Sequence, residues 1–395
     1  MGSRERTNEL GKRLLFTAFV LALYLIGRSV PLFGIEKTDA SHQSADRILF
    51  SILNGDVSRT SILALGILPY MNASMLVMFL TAFRSEGARR HLSGRKTKRL
   101  QGAATLGFTL AFAYFYSGQY QYRRDLMLLR IPVLLELAGG ALFIAWIADR
   151  NREKGIGDMA PIFILNLLFS FGNSLHKAPL HQYPKLFLVS LLAVGMTLFL
   201  ENHFLRIPLM RVSIYNTHSE NSYIAYKYSP VSTMPVMFAT SILFLVRLLF
   251  QGLILIGVKE EGFLTLASDL TIGNPLGDLF YLLIIVLMSI AFSFLILKPG
   301  EMADQLLRSG DCIPGVYPGK KTMGYLARRV LGLALLSGSF QALCLGVSLG
   351  LSYKGQLTPA LALFPSSIML FTGFLTNIVR EISHYYRFDS YRFFL

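Results

Sequence analysis

Charge is what this sequence has least of. Asp, Glu, Lys and Arg together make up 15% of its 395 residues, against about 25% in a soluble domain, while 53% of the residues are hydrophobic. A water-facing surface cannot be assembled from that mixture, so an ordinary soluble domain is excluded. Cysteine is nearly missing. Cys312 and Cys344 are the two in the chain, too few for a disulfide framework, and they read as incidental thiols in a loop and a helix. Acidic residues are outnumbered, 23 against 38 basic, for a formal net charge of +15. His-Glu-x-x-His, the helix-borne signature of a zinc protease, does not occur.

In place of charge stand apolar runs about 20 residues long, the length of a helix that crosses a bilayer. Ten spans are expected, with cores near 14–30, 64–83, 102–119, 131–148, 159–175, 185–203, 231–250, 277–297, 325–350 and 363–380. With the amino terminus placed in the cytoplasm, 26 Lys and Arg fall on inner segments and 10 on outer loops. That imbalance is the positive-inside signature, and it puts both termini in the cytoplasm. The loop "YRRDLMLLR" (122–130) dissents by setting three arginines outside. The charged start runs straight into a full-length span, so a retained anchor is expected rather than a cleaved signal peptide. The basic inner loops suit anionic membrane lipids or an acidic partner. No basic patch interleaved with aromatics points to nucleic acid.

Several stretches carry suggestive spacing. "DRILFSILNGDVSRTS" (46–61) has an apolar run too short to cross and reads as re-entrant or as an amphipathic outer loop. "GVYPGKKT" (315–322) is one residue short of a phosphate-binding loop and has Lys where Ser or Thr should hold magnesium. "GIGD" (155–158) resembles the Gly-x-Gly-Asp of intramembrane aspartyl proteases, but the second aspartate those enzymes need has no counterpart. Asp158 is expected to cap a helix amino terminus instead. No catalytic residue, metal ligand or cofactor is expected, and the chain reads as no enzyme. Arg28, Glu136 and Arg247 are the charges read as membrane-embedded. All lie toward the outer ends of their spans, where the arginines reach polar surroundings and Glu136 pairs with one of them. Nearer the midplane, Asn72, Asn166, Thr240, Ser241 and Asn377 are expected to act as hydrogen-bonding links between helices.

Taken in order, five stretches make the chain resemble the SecY family of protein-conducting channels. "SILALGILPYMNASMLVMFL" (61–80) is similar to the family's second span and "REKGIGDMAPIFIL" (152–165) to the start of its fifth. "RIPLM" (206–210) and "MPVMFATSIL" (234–243) are similar to its sixth loop and seventh span. "KPGEMADQLLRSGDCIPGVYPGKKTMGYL" (298–326) resembles its loop between spans eight and nine. The resemblance implies an all-α polytopic membrane protein. Ten transmembrane helices form two pseudo-symmetric five-helix halves, residues 1–178 and 179–395, with 46–61 as a re-entrant plug. The family's pore ring maps onto Ile67, Met71, Ile164, Leu168, Met237 and Leu370, and its lateral gate onto Asn72 and Ser241. Independently of the family, an apolar constriction hinders ions by dewetting, and methionines repack around a passing chain.

The departures matter. Tyr317 stands where the family carries an arginine important for its motor, and "KYSPVSTMP" (227–235) lacks a glycine usual before the seventh span. The chain is also short for the family. These departures imply the accessory SecY branch of Gram-positive bacteria, driven by an accessory SecA ATPase. SecE- and SecG-like small subunits assist it, and it exports serine-rich glycosylated adhesins across the cytoplasmic membrane. The stretch 309–322 then becomes a docking protrusion. Pro314 and Pro318 fix its backbone, and Arg308, Tyr317, Lys320 and Lys321 are offered to the motor. A housekeeping SecY channel is the first alternative. A secondary transporter or flippase coupled through Glu136 is a second, and an intramembrane hydrolase using Asp158 a third.

Overall fold

The computed structural model describes residues 3–35, 61–82, 94–118, 120, 130–177, 184–211, 222–255, 269–270, 274–353 and 359–390. Helices come in the order α1 (Ser3–Ser29), α2 (Leu68–Ala82), α3 (Gly94–Ser117), α4 (Arg130–Lys154), α5 (Ala160–Lys177) and α6 (Pro184–Asn202). Three short strands follow, β1 (Phe204–Pro208), β2 (Met210–Arg211) and β3 (Tyr223–Lys227). Then come α7 (Met234–Leu255), α8 (Pro275–Leu297), α9 (Pro299–Ser309), β4 (Asp311–Cys312), α10 (Lys320–Tyr353), α11 (Pro359–Ala362) and α12 (Phe364–Ser390). Each of the ten expected apolar blocks coincides with one of these helices.

Among the described residues, five stretches are long and apolar enough to cross a bilayer: Glu9–Ser29, Arg130–Lys154, Pro184–Asn202, Pro275–Ser309 and Lys320–Tyr353. Leu68–Thr81, Ala160–Gly172 and Met234–Leu243 are shorter apolar helices. On α6 the exposed side chains include Phe187, Leu188, Leu191, Leu192, Leu198 and Phe199, while Ser190 and Thr197 are buried. In water this pattern would be inverted; it is the arrangement that a hydrocarbon solvent favours. The start and end of α8 follow from local chemistry. Pro275 occupies its first turn, and Lys298 takes a left-handed conformation (φ 41°) just ahead of Pro299, which opens α9.

The chain is mostly helical, as expected, and the structure adds short strands to the helices. Residues 204–208 and 223–227 pair as an antiparallel hairpin, with Phe204 opposite Lys227 and Pro208 opposite Tyr223. Both segments, Phe-Leu-Arg-Ile-Pro and Tyr-Ile-Ala-Tyr-Lys, alternate inward and outward side chains and are rich in branched and aromatic residues. They were hidden inside a segment otherwise read as a loop.

The chain divides into two compact units. The first holds Met1–Gln182, Ser241–Phe263 and Phe374–Leu395; the second holds Tyr183–Thr240 and Leu264–Gly373. Within the first, α1 packs on α4 and α5, and α3 lies between α2 and α4. A polar link ties α1 to α5. Tyr24 donates to Asn166 Oδ1 at 2.7 Å, Arg28 Nη1 donates to the same oxygen at 3.3 Å, and the Arg28 guanidinium lies 4.0 Å over the Phe169 ring. Asn166 thus has its expected interhelical role. Within the second unit α8 runs along α10. The Ser289 hydroxyl donates to the Ala334 carbonyl at 2.8 Å, and a Cβ on Gly338 would fall 2.7 Å from Ser289 Cβ. Small residues allow this close approach.

Candidate functional site

A platform in the second unit holds the expected docking loop. Beyond α6 the β1–β3 hairpin turns Ile207 and Tyr226 inward, α9 adds Ala303 and Leu306, and α10 adds Leu326, Val330 and Leu333 around Ile313. The two-residue pairing of β2 with β4, Met210 opposite Cys312, stitches the hairpin segment to the 298–330 segment. Residues 310–319 stand on this core with Ile313 as their buried anchor. Gly310, Gly315 and Gly319 have φ of 74°, 78° and 90°, left-handed values that glycine adopts without penalty. The Ile313 carbonyl accepts the Val316 amide at 3.0 Å, and the Thr322 hydroxyl donates to the Tyr317 carbonyl at 2.9 Å. Tyr317 is therefore fixed at its backbone yet 73% exposed at its side chain. Lys321 Nζ lies 4.7 Å over the Tyr317 ring. Lys320 and Arg308 are exposed on the same continuous segment. Arg206 sits 5.0 Å over Tyr223 and Arg329 5.2 Å over Tyr325. Burial raises the Tyr226 phenol above its ordinary value, and its hydroxyl makes no hydrogen bond among the described residues.

The expected pore residues fall into both units. In the first, Ile67 and Met71 are buried, and the Met71 amide donates to the Ile67 carbonyl at 3.1 Å, which sets them one turn apart at the start of α2. Ile164 and Leu168 stand one turn apart on α5, half-buried and exposed respectively. Met237 and Leu370 are buried residues of the second unit. Of the expected gate residues, Ser241 is fully buried. Asn72 is buried with neither carboxamide atom hydrogen-bonded among the described residues. The Thr240 hydroxyl donates to the Val236 carbonyl and lies 3.2 Å from Tyr281 Oη, joining α7 to α8. The plug segment 46–61, apart from Ser61, and the side chain of Arg247 lie outside the described residues, as does most of the 122–130 loop.

The ionisable groups differ from expectation in three ways. Asp158 does not cap α5: its Oδ2 pairs with Arg152 at 3.0 Å, its Oδ1 makes no hydrogen bond among the described residues, and its φ is 52°. Glu136 accepts the Phe33 amide at 3.0 Å, so a backbone donor outside its helix holds it. Two carboxylates inside the expected spans were overlooked, Glu201 and Asp278, both buried. Asp278 accepts a hydrogen bond from Tyr353. Both lie near helix ends. The spacing Gly346-x-Ser348-x-Gly350 falls within the last turns of α10. There the Ser348 hydroxyl bonds back to the Leu345 carbonyl at 3.0 Å, unlike the exposed strand-to-helix turn that a hydrolase serine needs. Among the described residues no His, Cys, Asp or Glu cluster converges to hold a metal.

Comparison with known proteins agrees with this architecture. The chain is 25% identical over 394 residues to the accessory Sec system protein translocase subunit SecY2 of Streptococcus pneumoniae serotype 4, covering 96% of this chain and 97% of the relative. It is 23% identical over 403 residues to the SecY2 subunit of Staphylococcus aureus, covering 97% and 96%. A solved protein-conducting channel superposes with a TM-score of 0.67 at 18% identity, over 95% of this chain and 92% of that one. Canine Sec61 from a ribosome-channel complex of the endoplasmic reticulum superposes at 0.61 with 16% identity, over 95% and 92%. The model of the SecY family matches residues 61–381, and the chain belongs to that family.

Proposed function

We propose that this chain is the pore-forming subunit of a protein translocase, a passive gated channel for unfolded polypeptides in the cytoplasmic membrane. Ten spans in two halves, residues 1–178 and 179–395, enclose the path, with both termini inside and 46–61 closing the outer side. Ile67, Met71, Ile164, Leu168, Met237 and Leu370 form the ring through which the chain threads. A signal segment enters between the second and seventh spans at Asn72 and Ser241. It drives opening only to the extent that it prefers the open state. The relatives named as accessory Sec subunits support the accessory branch, as does Tyr317. In that branch a SecA-type ATPase grips Arg308, Tyr317, Lys320 and Lys321, SecE- and SecG-like subunits assist, and serine-rich glycosylated adhesins are the cargo.

The observation that carries the reading is the chemistry of the residues assigned to the path. Ile67, Met71, Ile164 and Leu168 are uncharged, and the one carboxylate of a coupled-transporter alternative, Glu136, already accepts a backbone amide. A proton- or ion-coupled carrier needs an ionisable group on its path; a polypeptide channel needs a waist that excludes ions and yields to any side chain. Cysteines placed at Met71 and Met237 should crosslink to a preprotein stalled in transit. Absence of a crosslink at both positions, with the stalled chain demonstrably engaged, would refute the path.

A further inference from the structure

The connector between α4 and α5 is gripped by side chains from three helices. Asn151, fully buried on α4, donates through Nδ2 to the carbonyls of Ile156 at 3.2 Å and Asp158 at 2.6 Å. Thr17 on α1 accepts the Ile156 amide at 2.9 Å and donates to Asn151 Oδ1 at 3.1 Å. Glu381 on α12 accepts the Gly157 amide at 2.8 Å. The connector so held is crowded. A Cβ on Gly155 would lie 2.0 Å from Asn151 Oδ1, and one on Gly157 would lie 2.8 Å from Ile378 Cγ1. Gly157 and Asp158 take left-handed φ values of 78° and 52° in succession, and for Asp158 that conformation stores strain. The Gly-Ile-Gly spacing is thus explained by the grip on it.

The contribution of α12 is a single stripe. Phe374, Ile378 and Glu381 follow at intervals of four and three, one face of a helix. Phe374 stacks on Phe163 with centroids 5.1 Å apart and planes 5° apart, Ile378 abuts Gly157, and Glu381 holds the Gly157 amide. Gly157 and Phe163 bracket Ala160, the first residue of α5. Asp158, the nearest carboxylate in sequence, is turned away to Arg152. Glu381 of α12 therefore holds the connector at Gly157, three residues ahead of the start of α5.

We propose that Glu381 is a positioning residue for the channel seal. By fixing the start of α5 it sets the height and rotation of Ile164 and Leu168, one and two turns further along. The proposal rests on the reading of those two side chains as part of the ring. The test uses the full chain in vesicles and planar bilayers, with Glu381→Ala, Glu381→Gln and Ile164→Ala. Glu381→Ala should speed amide exchange at 155–160 and raise the conductance of the idle channel, each about tenfold, the shift expected from losing one charge-assisted hydrogen bond. Glu381→Gln keeps an oxygen for the same amide and should restore most of the seal. Unchanged exchange in Glu381→Ala overturns the contact. Faster exchange with an unchanged seal reduces Glu381 to a structural tie and overturns the proposal. If Ile164→Ala leaks while Glu381→Ala does not, this proposal alone falls; if neither leaks, the ring reading falls with it. Should Glu381→Ala not fold, Gly157→Ala strains the same contact from the other side and carries the same expectation.

Discussion

Truncating Ile313 should release the proposed docking protrusion while leaving the membrane helices in place. Ile313 is 4% exposed and is the buried core side chain supplied by residues 310–319. Ile313→Ala deletes three carbons, about 2.4 kcal/mol at about 0.8 kcal/mol per buried methylene. The cavity left behind brings the cost to about 3 kcal/mol or more. What else ties the segment down is modest: the two-residue β2–β4 pairing, the half-buried Val316 against the same core and the Thr322–Tyr317 hydrogen bond. A loss of about 3 kcal/mol is enough to populate the released loop. Hydrogen exchange should show amides of 310–319 exchanging at least tenfold faster with α8 and α10 still protected, and binding of the SecA-type motor to vesicles bearing the chain should weaken about tenfold or more. If the loop is released and motor binding is unchanged, the protrusion is not the docking element.

Asn72→Leu removes a buried carboxamide that has no hydrogen bond among the described residues. That should stabilise the closed channel by about 1–3 kcal/mol and slow preprotein entry at least tenfold; unchanged export kinetics would count against Asn72 as a gate residue. Tyr226→Phe discards a buried hydroxyl that makes no hydrogen bond among the described residues and should leave thermal stability equal or raised by about 1 kcal/mol. Because burial raises the Tyr226 pKa, the stability held by the neutral phenol is fully present below the ordinary value of about 10 and is lost as pH climbs through the raised folded value. Alkaline unfolding of the wild type should therefore show a loss that Tyr226→Phe lacks. Glu136→Gln keeps an acceptor for the Phe33 amide and should export normally, whereas a carrier coupled through Glu136 would stop. Asp158→Ala breaks an exposed ion pair worth under about 1 kcal/mol and should also be tolerated in an export assay.

Much of the helical plan was legible because a membrane span is written in length and hydropathy, two properties visible without packing. The β1–β3 hairpin was not, since five-residue strands inside a loop offer no period long enough to stand out. Charges at span ends were misjudged for a related reason. Glu201 and Asp278 look like boundary residues in sequence, and only packing reveals that they are buried. Asp158 had the right residue type and position for a cap, but Arg152, six residues earlier on the end of α4, competes for its carboxylate. The Glu381–Gly157 contact joins residues 224 positions apart, and no local pattern announces it. In the proposed docking loop the turn residues Pro314 and Pro318 are plain in sequence, whereas the left-handed glycines and the stacking of Lys321 on Tyr317 required the fold.

The most direct test is reconstitution in proteoliposomes with the motor, ATP and a preprotein. The account predicts protease-protected preprotein that appears only when the motor and ATP are both present, through a membrane that stays ion-tight when idle. Accumulation of a small solute driven by an ion gradient without any motor, or the failure of every preprotein to become protected, would contradict it.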